Sequence, residues 1–352
     1  MNSAGAKIKI AVVGASGYSG QELLRLLIMH PSVEIVAVTS RAEAGKSLET
    51  VFPRFRGAEA IRDVEFIEPD IDRIVESGAE AAFLALPHGV AYEFAGPLLE
   101  KGLRVIDLSA DFRLNDLEVY EEFYGEHSSP ELLSEAVYGL PEIRRDEIRT
   151  ARLVASPGCY PTSILLPLIP LLKAGVLKSE TIAISSLSGT SGAGKSSSPA
   201  FLFCEVNESL RAYNAPKHRH LSEIEQELSI AAGSPVCVSF VPHLMPINQG
   251  IATTIFADLA DTGLTDEAIA ANYEKAYGDS PFVRVLGPGN FPDTKNVART
   301  NFVDIGWVID GRTDRLILCS AEDNLGKGAS SQAIQSFNLM FGLPETVGLM
   351  NY

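Results

Sequence analysis

Through the first 155 residues, short β-branched and aliphatic runs alternate with helical patterns. Residues 8–13, 33–38, 81–86, 103–106 and 153–155 read as strands buried on both faces, and residues 22–28 and about 90–100 read as helices between them. Strands separated by crossover helices predict right-handed βαβ units and a parallel sheet. Beyond residue 158 the pattern changes to longer strands, at 181–187, 236–241, 251–259, 282–286, 301–309 and 316–320, with amphipathic helices between them. These predict a mixed or antiparallel sheet. A closing helix over about 329–341 is expected to return to the first domain. The apolar run 164–169 begins as a helix that Pro167 and Pro170 should interrupt.

The turns carry the chemistry. Strand 8–13 runs straight into Gly14-Ala15-Ser16-Gly17-Tyr18-Ser19-Gly20 and then a helix, a dinucleotide-binding arrangement with the spacing G-x-x-G-x-x-G. Glycines let the backbone approach a pyrophosphate, and the helix N-terminus supplies positive potential. The second strand ends at Thr39-Ser40-Arg41, where no acid stands to accept from a ribose 2′-hydroxyl. A hydroxyl pair followed by Arg41 suits a 2′-phosphate, so NADP(H) is expected. Pro87-His88-Gly89 and Asp107–Arg113 fall beyond the carboxyl ends of strands, where ligands of such sheets bind.

Ser156-Pro157-Gly158-Cys159-Tyr160-Pro161-Thr162 puts one thiol at the mouth of a helix, where free N–H groups and the helix dipole favour a thiolate. Lys217-His218-Arg219-His220 then lies at or just before a helix start, with Glu223 one turn on. Cysteine with histidine is the pairing that generates a thiolate nucleophile and afterwards supplies a proton. The spacing permits either imidazole; His218 is taken as the thiol's partner, oriented by Glu223, with His220 nearer the substrate. Ser188–Lys195 is a small-residue loop able to pass close to a ligand.

Composition narrows the class. With 352 residues, 46% hydrophobic and 21% charged, the chain suits two domains of an ordinary globular enzyme. A net charge of -16 argues against nucleic acid or an anionic membrane as partner. Cys159, Cys204, Cys237 and Cys319 are widely spaced, which suggests neither a zinc site nor a disulfide framework and fits a reducing, cytoplasmic setting. No signal peptide is read at the N-terminus, and the apolar run 164–172 is too short to span a bilayer.

Taken together these segments resemble the N-acetyl-gamma-glutamyl-phosphate reductase family, relatives of aspartate-semialdehyde dehydrogenase. The matching residues are Gly14–Gly20, Leu86–Gly89, Asp107–Arg113, Tyr138–Glu142, Pro157–Thr162, Ser188–Lys195, His218–Gln226, Pro242–Leu244 and Asp323–Leu325, spread in the family's order over nearly the whole length. Ser156 stands where the family usually has Asn, and Gln249 where Arg is expected before Gly250. The resemblance implies an α/β protein. A Rossmann-type parallel-sheet domain (1–157, completed by about 325–352) is joined to an α+β catalytic and dimerisation domain with a mixed sheet (158–324). It further implies a Cys159 thioester in the NADPH-dependent reduction of N-acetyl-L-glutamyl 5-phosphate, with a homodimer or homotetramer as the assembly. Cys159, His218, His220 and Glu223 are then catalytic; Arg113, Ser156, Tyr160 and Arg219 bind substrate, Arg113 holding the leaving phosphate. Gly14, Ser16, Gly17, Tyr18, Ser19, Gly20, Ser40, Arg41, Pro87, Ser188, Gly189, Gly192 and Asn324 bind cofactor, and no metal is called for. The same chemistry on an aminoadipate-derived or aspartyl acyl phosphate is the alternative. A non-catalytic NADP(H) sensor with Cys159 as a redox switch is the reading from another class.

Overall fold

In the computed structural model, which describes residues 6–195 and 197–350, the chain divides into two compact units: Met1–Pro157 with Ala329–Tyr352, and Gly158–Gly328. The first unit is built on seven strands, β1 (Ile8–Val13), β2 (Val33–Thr39), β3 (Phe66–Ile67), β4 (Ala81–Leu84), β5 (Arg104–Asp107), β6 (Val137–Tyr138) and β7 (Leu153–Ala155). They lie in the order β3-β2-β1-β4-β5-β7-β6, every pairing parallel. The inner strands are buried on both faces, as their unbroken apolar sequences require. Strand order reverses between β1 and β4, and at such a switch point the loops after the two strands diverge and open a crevice. Strand β4 stops at Leu84, short of the predicted residue 86, because the chain turns at Ala85 to pass over Gly14. There a Cβ on Gly14 would stand 2.7 Å from the Ala85 carbonyl oxygen.

Helices α1 (Tyr18–Leu27), α2 (Tyr92–Glu100) and α3 (Pro141–Thr150) flank this sheet. The last helix of the chain, Ser331–Met340, belongs to the same unit and is buried along its whole length, polar residues included. Its amides explain how: Gln335 Nε2 donates to Glu142 Oε1 (3.0 Å) and Asn338 Oδ1 meets His30 Nε2 (3.0 Å).

In the second unit, β8 (Ala183–Gly189), β9 (Arg211–Ala212), β10 (Ser239–Met245), β11 (Ile251–Asp258), β12 (Val283–Pro288), β13 (Val303–Asp310) and β14 (Arg315–Glu322) form a mixed sheet in the order β12-β13-β14-β11-β8-β10-β9. Strand β10 begins later than the predicted 236 because side chains intercept its first amides. The Val236 N–H goes to Ser229 Oγ and the Val238 N–H to Glu225 Oε1. Alternate residues of β8, β11 and β14 are buried and half-buried, the pattern of a sheet with one covered face. The two-residue strands β3, β6 and β9 are too short to leave a periodic signal.

The helix that opens this unit, α4 (Cys159–Lys173), runs unbroken through both prolines that were expected to interrupt it. A proline removes the N–H that the carbonyl four residues earlier would have accepted. Here Pro167 orphans the Ser163 carbonyl and Pro170 that of Leu166. Ser320 Oγ donates to the first at 2.6 Å and Tyr277 Oη to the second at 2.6 Å. Neighbouring side chains thus replace the missing ladder bonds, and the helix is tied to β14 and to α6 (Asp266–Tyr277), with α5 (His220–Ala232) between them in sequence.

Tyr277→Phe should cost about 1–3 kcal/mol, the penalty of leaving a buried carbonyl unsatisfied. Pro170→Ala restores an N–H to that carbonyl, so the Phe change should cost at least ~0.5 kcal/mol less when combined with Pro170→Ala. Denaturant unfolding of the four proteins measures the coupling, and strict additivity would remove the compensation.

Candidate active site

Gly158 caps α4 in extended conformation without a side chain, and Cys159 is the first helical residue, partly exposed. Two groups from α5 fix this turn. Glu223, almost fully buried, accepts the Gly158 N–H on Oε1 at 2.8 Å. A Cβ on Gly158 would stand 2.6 Å from His220 Nε2, so the imidazole lies directly against the glycine that precedes the thiol. Glycine is needed there to let the ring approach.

His218 is placed differently from the expectation. Its Nδ1 accepts the His220 N–H at 3.1 Å, and its ring sits among Tyr160, Tyr213, Phe240 and His220. Burial first, and the Arg219 charge second, lower its pKa to about 4. An imidazole whose Nδ1 already accepts from the backbone supports the helix start. His220, not His218, faces the turn, and Glu223 holds the backbone of that turn. Tyr160, buried, shares a hydrogen bond with Tyr213 (3.0 Å) and donates to the His243 carbonyl (3.2 Å); burial pushes its phenol well above the ordinary range. Arg219 is exposed.

Sequence reading passed over the other side of Cys159. A Cβ on Gly328 would lie 2.8 Å from Cys159 Cβ and 2.9 Å from Glu322 Oε1, so the backbone at 328 presses on Cys159 beside a fully buried carboxylate. The available signal was an acid pair, Glu322-Asp323, at the end of an apolar strand, followed by two glycines two residues apart. Near it, Asn324 Oδ1 accepts the Gly250 N–H (2.8 Å) and Nδ2 donates to Ser191 Oγ (2.9 Å), bracing the loops that carry Gln249 and Ser188–Gly192. Gly189 passes so close to Asn248 that a Cβ would come 2.7 Å from its carbonyl oxygen, whereas Gly192 is exposed.

In the first unit, Arg113 is buried and two of its donors are engaged by backbone: Nε by the Ser156 carbonyl (2.8 Å) and Nη2 by that of Leu108 (3.0 Å). Through these two bonds Arg113 clamps the backbone leading to the turn before Cys159. Ser156 is buried, and its hydroxyl has no hydrogen-bond partner among the described residues. The Pro87–Gly89 loop, its proline exposed, is held by Asp111, which accepts from Gly89 N (2.7 Å) and Ala91 N (2.9 Å). Burial, reinforced by the charge of Asp111, raises the Asp107 carboxyl to about 7.

The glycine turn fits a dinucleotide. Gly14 has φ +79° and Gly20 packs on Ala15, but a Cβ on Gly17 would meet nothing within 4 Å, which leaves open space over the start of α1. Gly17 caps that helix without a side chain. Tyr18 is exposed and Ser19 half-buried beside it; the Ser19 carbonyl accepts from Ser330 Oγ. Ser40 Oγ donates to Ser16 Oγ (3.1 Å), and the Arg41 guanidinium is 71% exposed, 3.8 Å from Glu93. Among the described residues no group of three or more His, Cys, Asp or Glu is placed to hold a metal ion, and no helix is long and apolar enough to cross a membrane.

Residues 9–151 match the semialdehyde dehydrogenase NAD binding domain, and residues 159–324 the semialdehyde dehydrogenase dimerisation domain. An N-acetyl-gamma-glutamyl-phosphate reductase of Akkermansia muciniphila is 58% identical over 97% of this chain and 99% of its own. One from Geobacter metallireducens is 49% identical over 97% and 98%. Aspartate semialdehyde dehydrogenase II of Vibrio cholerae shares the fold with a TM-score of 0.72 at 18% identity, covering 96% of this chain and 99% of that one. The Candida albicans enzyme, solved with NADP, gives 0.68 at 16% over 96% and 99%.

From the placement of the imidazoles, His220→Asn should raise the apparent pKa of Cys159 by about one unit or more, because it removes the ring that rests against the turn. His218→Asn should move it by only a few tenths, since a group titrating near 4 is already neutral where the thiol ionises. Alkylation rate against pH reads both; the reverse pattern would restore His218 as the thiol's partner.

Proposed function

Because the chain belongs to the N-acetyl-gamma-glutamyl-phosphate reductases of the semialdehyde dehydrogenase family, it is an oxidoreductase that uses a nicotinamide cofactor, and we propose that it reduces N-acetyl-L-glutamyl 5-phosphate to N-acetyl-L-glutamate 5-semialdehyde and phosphate with NADPH, in arginine biosynthesis. The observation that carries this reading is the helix-mouth thiol of Cys159 beside a glycine on which His220 rests.

In this reading the Cys159 thiolate attacks the acyl carbonyl carbon. The carbon–oxygen bond to phosphate breaks, phosphate leaves with the electron pair, and a thioester remains on the sulfur. Gly14–Gly20, Ser40 and Arg41 would hold the nicotinamide cofactor, which would supply the hydride that takes the thioester carbon to the aldehyde level; the carbon–sulfur bond then breaks and its electron pair returns to Cys159 as thiolate. The free N–H groups at the start of α4 are donors to the oxyanion, and His220 takes the thiol proton and returns one to the oxygen or sulfur. Arg113 acts by fixing the Ser156 carbonyl, and the unpartnered Ser156 hydroxyl is available to substrate. Arg41, with its guanidinium in solvent, suits the 2′-phosphate of NADPH. The half-buried sheet face carrying Leu187, Phe256, Ile317 and Cys319 supports a homodimer built on this unit, as the dimerisation-domain match would have it.

Phosphate-dependent reduction of NADP⁺ with a panel of semialdehydes tests the assignment. The N-acetylglutamate compound should give the highest kcat/KM, with the aminoadipate homologue disfavoured by only about 1–3 kcal/mol per methylene. Cys159→Ser should lower turnover by on the order of 10⁴ or more while cofactor binding persists. A higher kcat/KM for aspartate semialdehyde, or a tenth of wild-type activity in the serine variant, would defeat it. Separately, Arg41→Ala should weaken NADPH binding about ten- to a hundredfold with little effect on NADH, as measured by fluorescence titration.

A further inference from the structure

The loop after β4 is held by a side chain that takes no part in the thioester chemistry. This loop departs across the first glycine of the dinucleotide turn. Ala85 N donates to the Val13 carbonyl (2.8 Å), and a Cβ on Gly14 would stand 2.7 Å from both the Ala85 carbonyl oxygen and Leu86 Cδ2. On the other side of the same turn lies the end of β2, where Thr39 accepts from Gly14 N on Oγ1 (3.3 Å) and from Ala15 N on its carbonyl (3.0 Å). The loop then exposes Pro87 and His88 and turns at Gly89, whose φ of +78° favours glycine. Exposed loops keep one shape only where their backbone is tied down. Here the tie is Asp111, from the loop after β5 and wholly buried: Oδ1 accepts from Gly89 N at 2.7 Å and Oδ2 from Ala91 N at 2.9 Å. Asp111 is itself held from behind. Tyr120 Oη, on the helix Leu117–Tyr124, donates to Oδ1 (3.2 Å), and His127 Nε2 donates to the Asp111 carbonyl (2.7 Å). Ser109 Oγ accepts the Asp111 N–H (3.0 Å) while donating to Asp107 (2.7 Å).

We propose that Asp111 is a positioning residue for the cofactor: by fixing Gly89 and Ala91 it holds the loop after β4 in the shape that receives the nicotinamide half of the dinucleotide. This rests on the glycine turn Gly14–Gly20 as the place where the dinucleotide binds. In a sheet of this kind the ligand lies across the point where strand order reverses, with its adenosine ribose at the end of the second strand and its pyrophosphate over the first helix N-terminus. The half that remains falls on the opposite side of the glycine turn, which in this chain is the side of Ala85–Ala91. A loop already held in the receiving shape loses less conformational freedom when ligand arrives, so affinity scales with the fraction of time the loop spends in that shape. The argument from Asp111 is one of acceptor geometry. Two backbone N–H groups need two oxygens placed side by side, and a carboxyl group supplies them. Asparagine supplies one oxygen and sets an amide N–H₂ against the other backbone donor, so either Gly89 or Ala91 is released.

The test is isothermal titration calorimetry of the full-length Asp111→Asn protein with two ligands, NADPH and 2′,5′-ADP, the second carrying the adenosine and its phosphates but no nicotinamide. NADPH should bind about tenfold more weakly than to the unmodified protein, whereas 2′,5′-ADP should change by less than about twofold. If Asp111 serves only to cap α2 and support the fold, the two ligands move together or neither moves, and either result overturns the proposal. Tyr120→Phe removes one bond that steadies the acid and leaves both of its backbone contacts in place; it should weaken NADPH alone, by about two- to threefold. If the Asn variant does not fold, an unchanged NADPH affinity or an equal loss for both ligands in the Phe variant is the overturning result. Tighter binding of NADH than NADPH by the unmodified protein would defeat the 2′-phosphate assignment of Arg41 without touching Asp111; the comparison then runs with NADH and ADP, and the same selective loss is expected.

Discussion

One hydrogen bond, from the Gly158 N–H to Glu223 Oε1, fixes the turn that carries Cys159. It joins the mouth of α4 to the first turn of α5, and it demands that residue 158 lack a side chain, since the same approach brings His220 onto the Cα of Gly158. A buried carboxylate satisfied by a backbone donor also answers its own desolvation. Cys159, His220 and the turn between them are thus positioned by two helices of a single unit.

The first unit prepares the chain for that turn by a different means. Arg113 grips the carbonyls of Leu108 and Ser156, and the Ser156 N–H goes to the Asp107 carbonyl, so the loop after β5 and the exit from β7 are stitched together at the carboxyl edge of the sheet. Asp111 does the same for the loop after β4. Arg113, Asp107 and Asp111 in these loops hold backbone. This is the common fate of buried donors and acceptors, which must find partners whatever else they do.

Legibility in the sequence followed from how local each signal was. The parallel strands of the first sheet and the glycine turn declare themselves within a dozen residues, as does the thiol between Pro157-Gly158 and Pro161. The continuity of α4 does not, because the hydroxyls that rescue its prolines come from Ser320 and Tyr277, more than a hundred positions away. The same holds for the division between His218 and His220. Spacing to Glu223 favoured the first, whereas contact with Gly158, visible only in three dimensions, belongs to the second. Glu322 was passed over because an acid at the end of a strand ordinarily marks a solvated edge, and nothing within reach along the chain reveals that the 324–328 return closes over it.

Cys159 is flanked on both sides by residues that cannot acquire a side chain: Gly158 against His220, and Gly328 against the cysteine itself. For anyone wishing to widen substrate scope, these two walls are closed to mutation. Any change of shape around Cys159 would have to come through residues other than these two glycines. The route by which this catalyst could diversify is narrowed by the packing of two glycines rather than by its reaction.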